Sequence, residues 1–182
     1  MKKFREVKIN IEVESSKARV WDTLFNNFGD VSAWNPLVED SHHSGGSKGE
    51  VGCERVCDLD SKTTIHERIS SSNGTDSFDV DIIKGGLPMM DKGLGRFELE
   101  ELSDERTRIN FIIKFTAKPS FMGGIMKLMM PKMLIQVLVG LKYHLETGNL
   151  VDKSNIKRIM KNYKQLDSDQ AFSTSALLEV AA

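Results

Sequence analysis

Arg55 and Glu67 are two charged residues whose spacing could bring them together inside an apolar pocket. Each lies among alternating apolar residues, and a short break at residues 60–62 separates the two segments. Paired as antiparallel strands, the segments place Arg55 opposite Glu67 and Cys57 opposite Ile65. Such a pair could orient a ligand carbonyl, phenol or carboxylate, or supply general acid–base catalysis. A register error of one residue would instead leave both in solvent, and a position at the rim would make them an ordinary ion pair.

The two cysteines, Cys53 and Cys57, lie four residues apart on one predicted strand. A rise of about 3.3 Å per residue separates their Cα atoms by roughly 13 Å, which is too far for a disulfide between them. We therefore interpret both as small buried side chains that carry reduced thiols. This interpretation predicts a cytoplasmic chain.

Neither the histidines nor the glycines form a pattern typical of a metal or cofactor site. The histidines are His42, His43, His66 and His144. Their spacing is not that of metal ligands, so we predict no metal site. The sequence also lacks a nucleophile elbow, a phosphate-cradling loop and a dinucleotide fingerprint, and we expect no cofactor.

Positive and negative charges are balanced, with 25 Lys and Arg against 26 Asp and Glu. This balance gives no whole-chain reason to expect nucleic acid or an anionic membrane as a partner. An uninterrupted apolar run of about 18 residues is missing, so no spanning helix is expected. Residues 1–10 lack the apolar core of a signal peptide, which agrees with a cytoplasmic location. The oligomeric state is left open.

The periodicity of the apolar residues predicts the elements that position these side chains. Residues 6–14 alternate apolar and polar, which indicates a half-buried strand, and Ser15 or Ser16 then offers a helix cap. One short helix follows, and a second over residues 30–34 ends before Pro36. Alternation between turn signals predicts six further antiparallel strands. They are Leu37–Ser44, Gly52–Leu59, Thr63–Ser70, Ser77–Ile83, Gly95–Leu102 and Thr107–Ala117.

A long helix is predicted over Phe121–Glu146, apolar nearly all round and rich in methionine in its first half. Such a helix must be covered on most sides, and the strands can cover only one. A ligand, a partner chain or a membrane surface could cover the rest. Because Pro131 interrupts the helical pattern, we interpret Phe121–Met130 as a separate flap that could move at Gly123 and Gly124.

The end of the chain is predicted to be an extension, so that residues 1–149 form a ligand-binding domain and residues 150–182 follow it. Apolar residues at helical spacing among lysines indicate a basic helix over Asn155–Leu166. From Asp167 onward we expect partial disorder. Peripheral contact of residues 153–164 with an anionic membrane is one interpretation. Packing of this helix on the domain is the preferred one.

Together these elements predict an α+β fold: a seven-stranded curved antiparallel sheet wrapped around a long C-terminal helix, with two short helices after the first strand. Three local patterns resemble the START / Bet v 1-like (SRPBCC) superfamily. They are Val20–Phe25 with Ala33–Pro36, Gly93–Leu99 with Thr107–Phe111, and Leu138–Glu146. The resemblance extends over about residues 5–147. It implies the helix-grip fold of polyketide cyclase/dehydrase and lipid-transport proteins, which hosts enzymes, carriers and receptors alike.

A hairpin register that pairs Ile69 with Phe78, and Ile65 with Ile82, turns the apolar residues of the middle strands inward. A curved sheet that grips a helix leaves a gap between them, which is a natural ligand cavity. The residues expected to contact the ligand are Trp34, Cys57, Ile65, Phe78, Val80, Met89, Phe97, Phe111, Met126, Met129, Met130, Met133, Leu134 and Val137.

The favoured function is binding of a small hydrophobic molecule, such as a lipid, isoprenoid, polyketide or aromatic metabolite. A first alternative is a polyketide cyclase/dehydrase-type enzyme that uses Glu67 and Arg55 as candidate catalytic residues. A second alternative is a protein–protein module that docks through the methionine-rich segment. A non-catalytic binding protein is preferred over an enzyme.

Overall fold

The computed structural model describes residues 4–87 and 89–169. Seven strands form a single antiparallel sheet in the order β1-β7-β6-β5-β4-β3-β2. The strands are β1 Arg5–Val13, β2 Asp40–Gly45, β3 Glu54–Asp60, β4 Thr63–Ser72, β5 Ser77–Gly85, β6 Met90–Ser103 and β7 Arg106–Ala117. The pair β1 and β7 brings together the first and last strands of the described residues, whereas the other neighbouring strands are consecutive in the chain. The predicted fold class is confirmed.

Two short helical segments follow β1, as predicted. Helix α1 spans Lys17–Trp21 and continues as a π-helical turn over Asp22–Asn26, and a 3₁₀ helix then spans Phe28–Ala33. Ser16 caps α1 because its side-chain oxygen accepts a hydrogen bond from the N–H of Arg19 at 3.4 Å. The 3₁₀ helix begins two residues before the predicted range of residues 30–34 and ends one residue before its end.

The long helix α2 spans Gly123–Thr147 after a 3₁₀ turn at residues 120–122, and it runs without interruption through Pro131. The predicted separate flap is therefore wrong. Proline removes one helical hydrogen bond, but Met130 and Leu134 on either side of it are buried in the core and stabilise the helix. Gly123 is not a free hinge either, since a Cβ there would meet the guanidinium of Arg5.

Glycine lets the second half of α2 approach the segment after the 3₁₀ helix closely. A Cβ at Gly140 would lie 2.4 Å from the carbonyl oxygen of Trp34 and 3.0 Å from Pro36 Cδ. The chain after α2 is fixed at the same place, where the N–H of Val151 donates to the carbonyl of Ala33 at 3.0 Å. This contact holds one end of the helix against the domain.

The sheet register agrees with the prediction at the charged pair. In β3 and β4, Arg55 lies opposite Glu67 and Cys57 opposite Ile65, which confirms those pairings. The strand predicted over Leu37–Ser44 starts later, at the beginning of β2, because the N–H of Val38 closes a turn onto the Asn35 carbonyl instead.

The predicted register between β4 and β5 is wrong. Ile69 lies opposite Val80, not Phe78, which is a shift of two residues. Beyond an irregularity at residues 66 and 67, Ile65 lies opposite Gly85, not Ile82. The turn is wider than predicted because the Asn73 side-chain oxygen accepts hydrogen bonds from three backbone N–H groups, at residues 75, 76 and 77. A shift of two residues keeps each side chain on its face, so the inward apolar face is retained.

Helix α3 spans Ile156–Asp169 and packs on α2. Ile156 and Ile159 are buried against Val139 and Val151. Because this apolar face is covered by α2, Ile156 and Ile159 are not available to insert into a membrane through residues 153–164. The structure agrees with the preferred interpretation, a helix packed on the domain. Helix α3 includes residues 167–169, and the rest of the segment predicted to be disordered lies outside the described residues, so that prediction stays open.

Candidate functional site

A cavity of about 330 Å³ lies between the sheet and α2. The helix contributes Met130, Met133, Leu134 and Val137, which recur at helical spacing on one face. Opposite them, Phe97 and Phe111 stack with ring centroids 4.3 Å apart. The 3₁₀ segment and the turn after it close a further side with Val31, Trp34, Asn35, Leu37 and Val38. The walls are therefore mostly apolar, as in typical small-molecule sites.

The half-exposed residues of the lining indicate where the cavity approaches the surface. Leu87 and Met90 lie at the β5–β6 turn, and Met133 lies on the facing side of α2. The β3–β4 turn is at the same end of the sheet, because β4 and β5 are antiparallel and Ile65 lies opposite Gly85. Exposed Asp60 and Lys153 complete the rim there.

Arg55 and Glu67 form an ion pair in the wall of the cavity. Arg55 Nε donates to Glu67 Oε2 at 2.7 Å, and the two side chains are 9% and 14% exposed. Arg55 Nη1 donates to the Phe28 carbonyl at 2.9 Å, and the guanidinium carbon lies 3.9 Å from the centre of the Phe28 ring. These contacts fix the guanidinium on three sides, and so they orient the carboxylate bound to it.

The Cys57 thiol contacts the same carboxylate oxygen, with Sγ donating to Glu67 Oε2 at 3.6 Å. Burial raises the pKa of Cys57 to about 12, so the thiol stays protonated at neutral pH and does not act as a nucleophile. Among the described residues, the hydrogen bonds of Glu67 all involve Oε2. Oε1 is thus the oxygen that could accept a hydrogen bond from a molecule in the cavity.

Most of the residues predicted to contact a ligand line this cavity together. They are Trp34, Cys57, Ile65, Val80, Phe97, Phe111, Met130, Met133, Leu134 and Val137, with Arg55 and Glu67 beside them. The strands place them on one face because their alternation matches the inward side of the sheet. Trp34 reaches the cavity from the loop that packs against Gly140.

Four of the predicted residues lie elsewhere. Phe78 lies behind the lining, because its ring is enclosed by Phe25 at 5.3 Å and Phe97 at 5.1 Å. Met126 is buried in the core beyond the cavity. Met129 and Met89 are 53% and 38% exposed and face solvent. The prediction failed for Met129 because nearly every face of this helix is apolar, so periodicity does not separate its inner face from its outer one.

The expected ligand contacts left out several residues that line the cavity. They are Val31, Leu37, Val38, Leu59, Ile82, Leu87, Met90, Leu94 and Ile113. Ile82 and Ile113 lie in the inward alternation of their strands, which points their side chains toward α2. Leu37 and Leu87 lie in turns, for which the sequence carries no periodic signal of orientation.

Solved structures of other proteins share this fold. A START superfamily protein from Mycobacterium smegmatis superposes with a TM-score of 0.65 at 14% identity, over 77% of this chain and 96% of that one. The chain has the helix-grip fold of the START and Bet v 1-like proteins. Ginseng major latex-like protein 151 from Panax ginseng is also similar, with a TM-score of 0.58 at 14% identity, over 78% of this chain and 97% of that one.

An enzyme has the same fold. Norcoclaurine synthase from Thalictrum flavum, in complex with dopamine and hydroxybenzaldehyde, superposes with a TM-score of 0.59 at 14% identity, over 78% of this chain and 86% of that one. No protein-family model and no curated protein matches the sequence. At these identities the comparisons establish the fold, and the function must be argued from the site.

Within the described residues, the helical stretch Ser120–Thr147 is long and apolar enough to cross a membrane by length and composition. A buried core helix passes the same test, and α2 has Leu134, Leu138, Leu141 and Leu145 in the core. In that same part of the chain, three or more His, Cys, Asp or Glu side chains do not cluster as a metal site would require.

Proposed function

We propose that this protein binds a small hydrophobic molecule in the cavity between the sheet and α2. The observation that carries the proposal is an apolar cavity of about 330 Å³ with a single internal ion pair, Arg55–Glu67, in its wall. This volume is at the lower end of typical ligand sites, which run from about 300 Å³. It suits a compact aromatic or isoprenoid molecule better than a lipid with two long chains.

The lining supports binding through shape and apolar contact. Burial of about 300 Å² of apolar ligand surface would contribute roughly 7 kcal/mol before the costs of association. Phe97, Phe111 and Trp34 offer ring faces, and Met130 and Met133 offer flexible side chains that adapt to ligand shape.

The ion pair supports a preference for ligands that carry a hydrogen-bond donor. Glu67 is held by Arg55 and Cys57 through one oxygen and keeps the other for a hydroxyl or amine. A donor placed there would replace water on a buried charged group, and charge-assisted hydrogen bonds are stronger than neutral ones. A ligand of the same shape without the donor would leave that oxygen unpaired and would bind more weakly.

Binding fits the site better than the cyclase/dehydrase alternative. Acid–base catalysis usually needs two titratable groups with different tasks, and Glu67 is the one acidic side chain of the inner lining, as far as the chain is described. The other acid of the lining, Asp60, is exposed at the rim, where its side chain accepts backbone hydrogen bonds from Lys62 and Thr63. A cytoplasmic location stays a prediction.

The test compares binding of naphthol and naphthalene, which share a ring system and differ in one hydroxyl. Titration followed by tryptophan fluorescence should show saturable binding of both, with naphthol tighter by about tenfold, as expected for one charge-assisted hydrogen bond. Native mass spectrometry of protein purified without detergent would then identify the ligand carried from the cell. A chain that binds neither compound and carries no ligand would contradict the proposal.

A cavity-filling variant connects the binding to the cavity. Val137→Phe adds a ring to the lining and should weaken naphthol binding by about tenfold or more. Val51→Phe is the matched control, because Val51 is 53% exposed and does not line the cavity. Equal binding by the two variants would show that naphthol binds outside the cavity.

A further inference from the structure

The first half of α2 carries exposed apolar side chains beside the end of the cavity. Phe121, Ile125, Leu128 and Met129 are 76%, 48%, 79% and 53% exposed, and they form what we call the α2 stripe. Ile125, Leu128 and Met129 recur at helical spacing on one face, and Phe121 lies in the 3₁₀ turn just before it. Large exposed apolar groups in one contiguous area are typical of an interaction surface.

The β5–β6 turn extends this apolar surface. Met89 is 38% exposed, and its carbonyl accepts a hydrogen bond from the N–H of Lys118 at 2.9 Å, which holds the turn beside the segment that leads into α2. Leu87 and Met90 on either side of it line the cavity. The α2 stripe therefore borders the half-exposed end of the cavity.

The charge around the α2 stripe differs from that of the whole chain. Segments 82–93 and 117–135 contain five lysines and a single acidic residue, Asp91, whereas the whole chain has a formal net charge of −1. The lysines are Lys84, Lys92, Lys118, Lys127 and Lys132. Apolar side chains surrounded by lysine are typical of segments that insert into an anionic membrane surface, where the lysines meet the headgroups.

We propose that the α2 stripe docks this protein on an anionic membrane surface, with the cavity end facing the lipid. A second copy of the chain fits less well, because an isologous contact would bring the same lysines together. Spanning by α2 is excluded in the folded state, since its second half is in the core. The docking itself does not depend on the proposed function. Its role does, because that role is to load or deliver the apolar ligand at the bilayer.

Cosedimentation of the full chain with vesicles tests the docking. We expect binding to vesicles of phosphatidylcholine mixed with phosphatidylglycerol, weaker binding to phosphatidylcholine alone, and loss of binding in high salt. Leu128→Asp should weaken binding by about tenfold or more, because it removes an inserted leucine and adds a negative charge. The matched control is Leu150→Asp, because Leu150 is 68% exposed and lies after the other end of α2.

Charge reversal provides a second pair of variants. Lys132→Glu should weaken binding to the mixed vesicles severalfold. Lys48→Glu, in the exposed turn after β2 at the other end of the sheet, should leave binding unchanged. Equal loss in both would mean that only the net charge of the chain matters, and would overturn the assigned surface.

Three other outcomes would also overturn the docking proposal. They are absence of binding to the mixed vesicles, native binding by Leu128→Asp, and concentration-dependent self-association in vesicle-free buffer that Leu128→Asp removes. The naphthol titration is carried out without vesicles, so each proposal can fail alone. A chain that binds naphthol but not vesicles would refute docking and leave the binding function in place.

Discussion

Replacing the buried ion pair separates its cost in stability from its use in binding. In Glu67→Ala, Arg55 keeps its hydrogen bond to the Phe28 carbonyl and its contact with the Phe28 ring, but its charge loses its partner. Removal of one member of a buried pair costs about 3–5 kcal/mol, and the partial exposure of both side chains should keep the penalty here at about 3 kcal/mol. The double variant Arg55→Met/Glu67→Leu should regain native stability within about 1 kcal/mol, because similar volume is restored without a charge.

Urea denaturation of the native chain, Glu67→Ala and the double variant measures these differences in stability, provided that the slope with urea is unchanged. Glu54→Ala is the matched control, since Glu54 pairs with Arg68 on the same two strands with side chains 28% and 46% exposed. Exposed pairs contribute about 0–1 kcal/mol, so this control should lose little stability. A loss below about 1 kcal/mol in Glu67→Ala would refute the claim that the pair is buried and coupled.

Ligand titration of the stable double variant then tests the anchor. The variant should bind naphthalene as well as the native chain does, because the apolar lining is retained. Its preference for naphthol should disappear, because the acceptor oxygen of Glu67 is gone. A double variant that still prefers naphthol by the native factor would show that the pair serves stability or fold alone, whatever its geometry.

Three further changes have defined outcomes. Gly140→Ala should cost about 1–3 kcal/mol in urea denaturation, because its Cβ would meet the Trp34 carbonyl at 2.4 Å, and an unchanged midpoint would mean that α2 is less closely packed there. Burial raises the pKa of Cys57 to about 12, so iodoacetamide at mildly alkaline pH should label it only after unfolding, as mass spectrometry would detect. Burial also raises the pKa of Tyr163, whose hydroxyl donates to Glu146 at 3.1 Å. The contribution of Tyr163 to the free energy of unfolding is therefore complete below about pH 10, the pKa in the unfolded chain, and declines as the pH rises above it. Tyr163→Phe should reduce this alkaline loss of stability, as unfolding followed by circular dichroism would measure.

The sheet and its charged pair could be predicted because strand alternation has a period of two. Arg55 and Glu67 face each other since the short turn after β3 permits few registers, and even the wrong register of β4 and β5 kept Ile69 and Val80 on the inner face. The width of the β4–β5 turn depends on the Asn73 side chain, which accepts several backbone hydrogen bonds. Composition alone does not determine this turn geometry.

The orientation of α2 could not be predicted because its sequence is apolar on nearly every face. Met129 and Met130 are neighbours of the same type, yet one is 53% exposed and the other 3% exposed. Pro131 was misleading for a related reason: local propensity favours a break, but burial of the flanking side chains outweighs one missing hydrogen bond. Tertiary packing, which the local sequence does not encode, decided both features.

The structure explains how such a helix can exist, because different parts of α2 have different coverings. One face of its second half packs on the sheet, and another is covered by α3, where Ile156 and Ile159 pack against Val139. Met130 and Met133 line the cavity, so no side chain in the described part of the chain packs on them there. A ligand in the cavity would complete the core at this place. The stripe around Leu128 has no covering among the described residues. A ligand would satisfy the inner gap but not this outer face, so the two apolar surfaces call for two different partners and two independent tests.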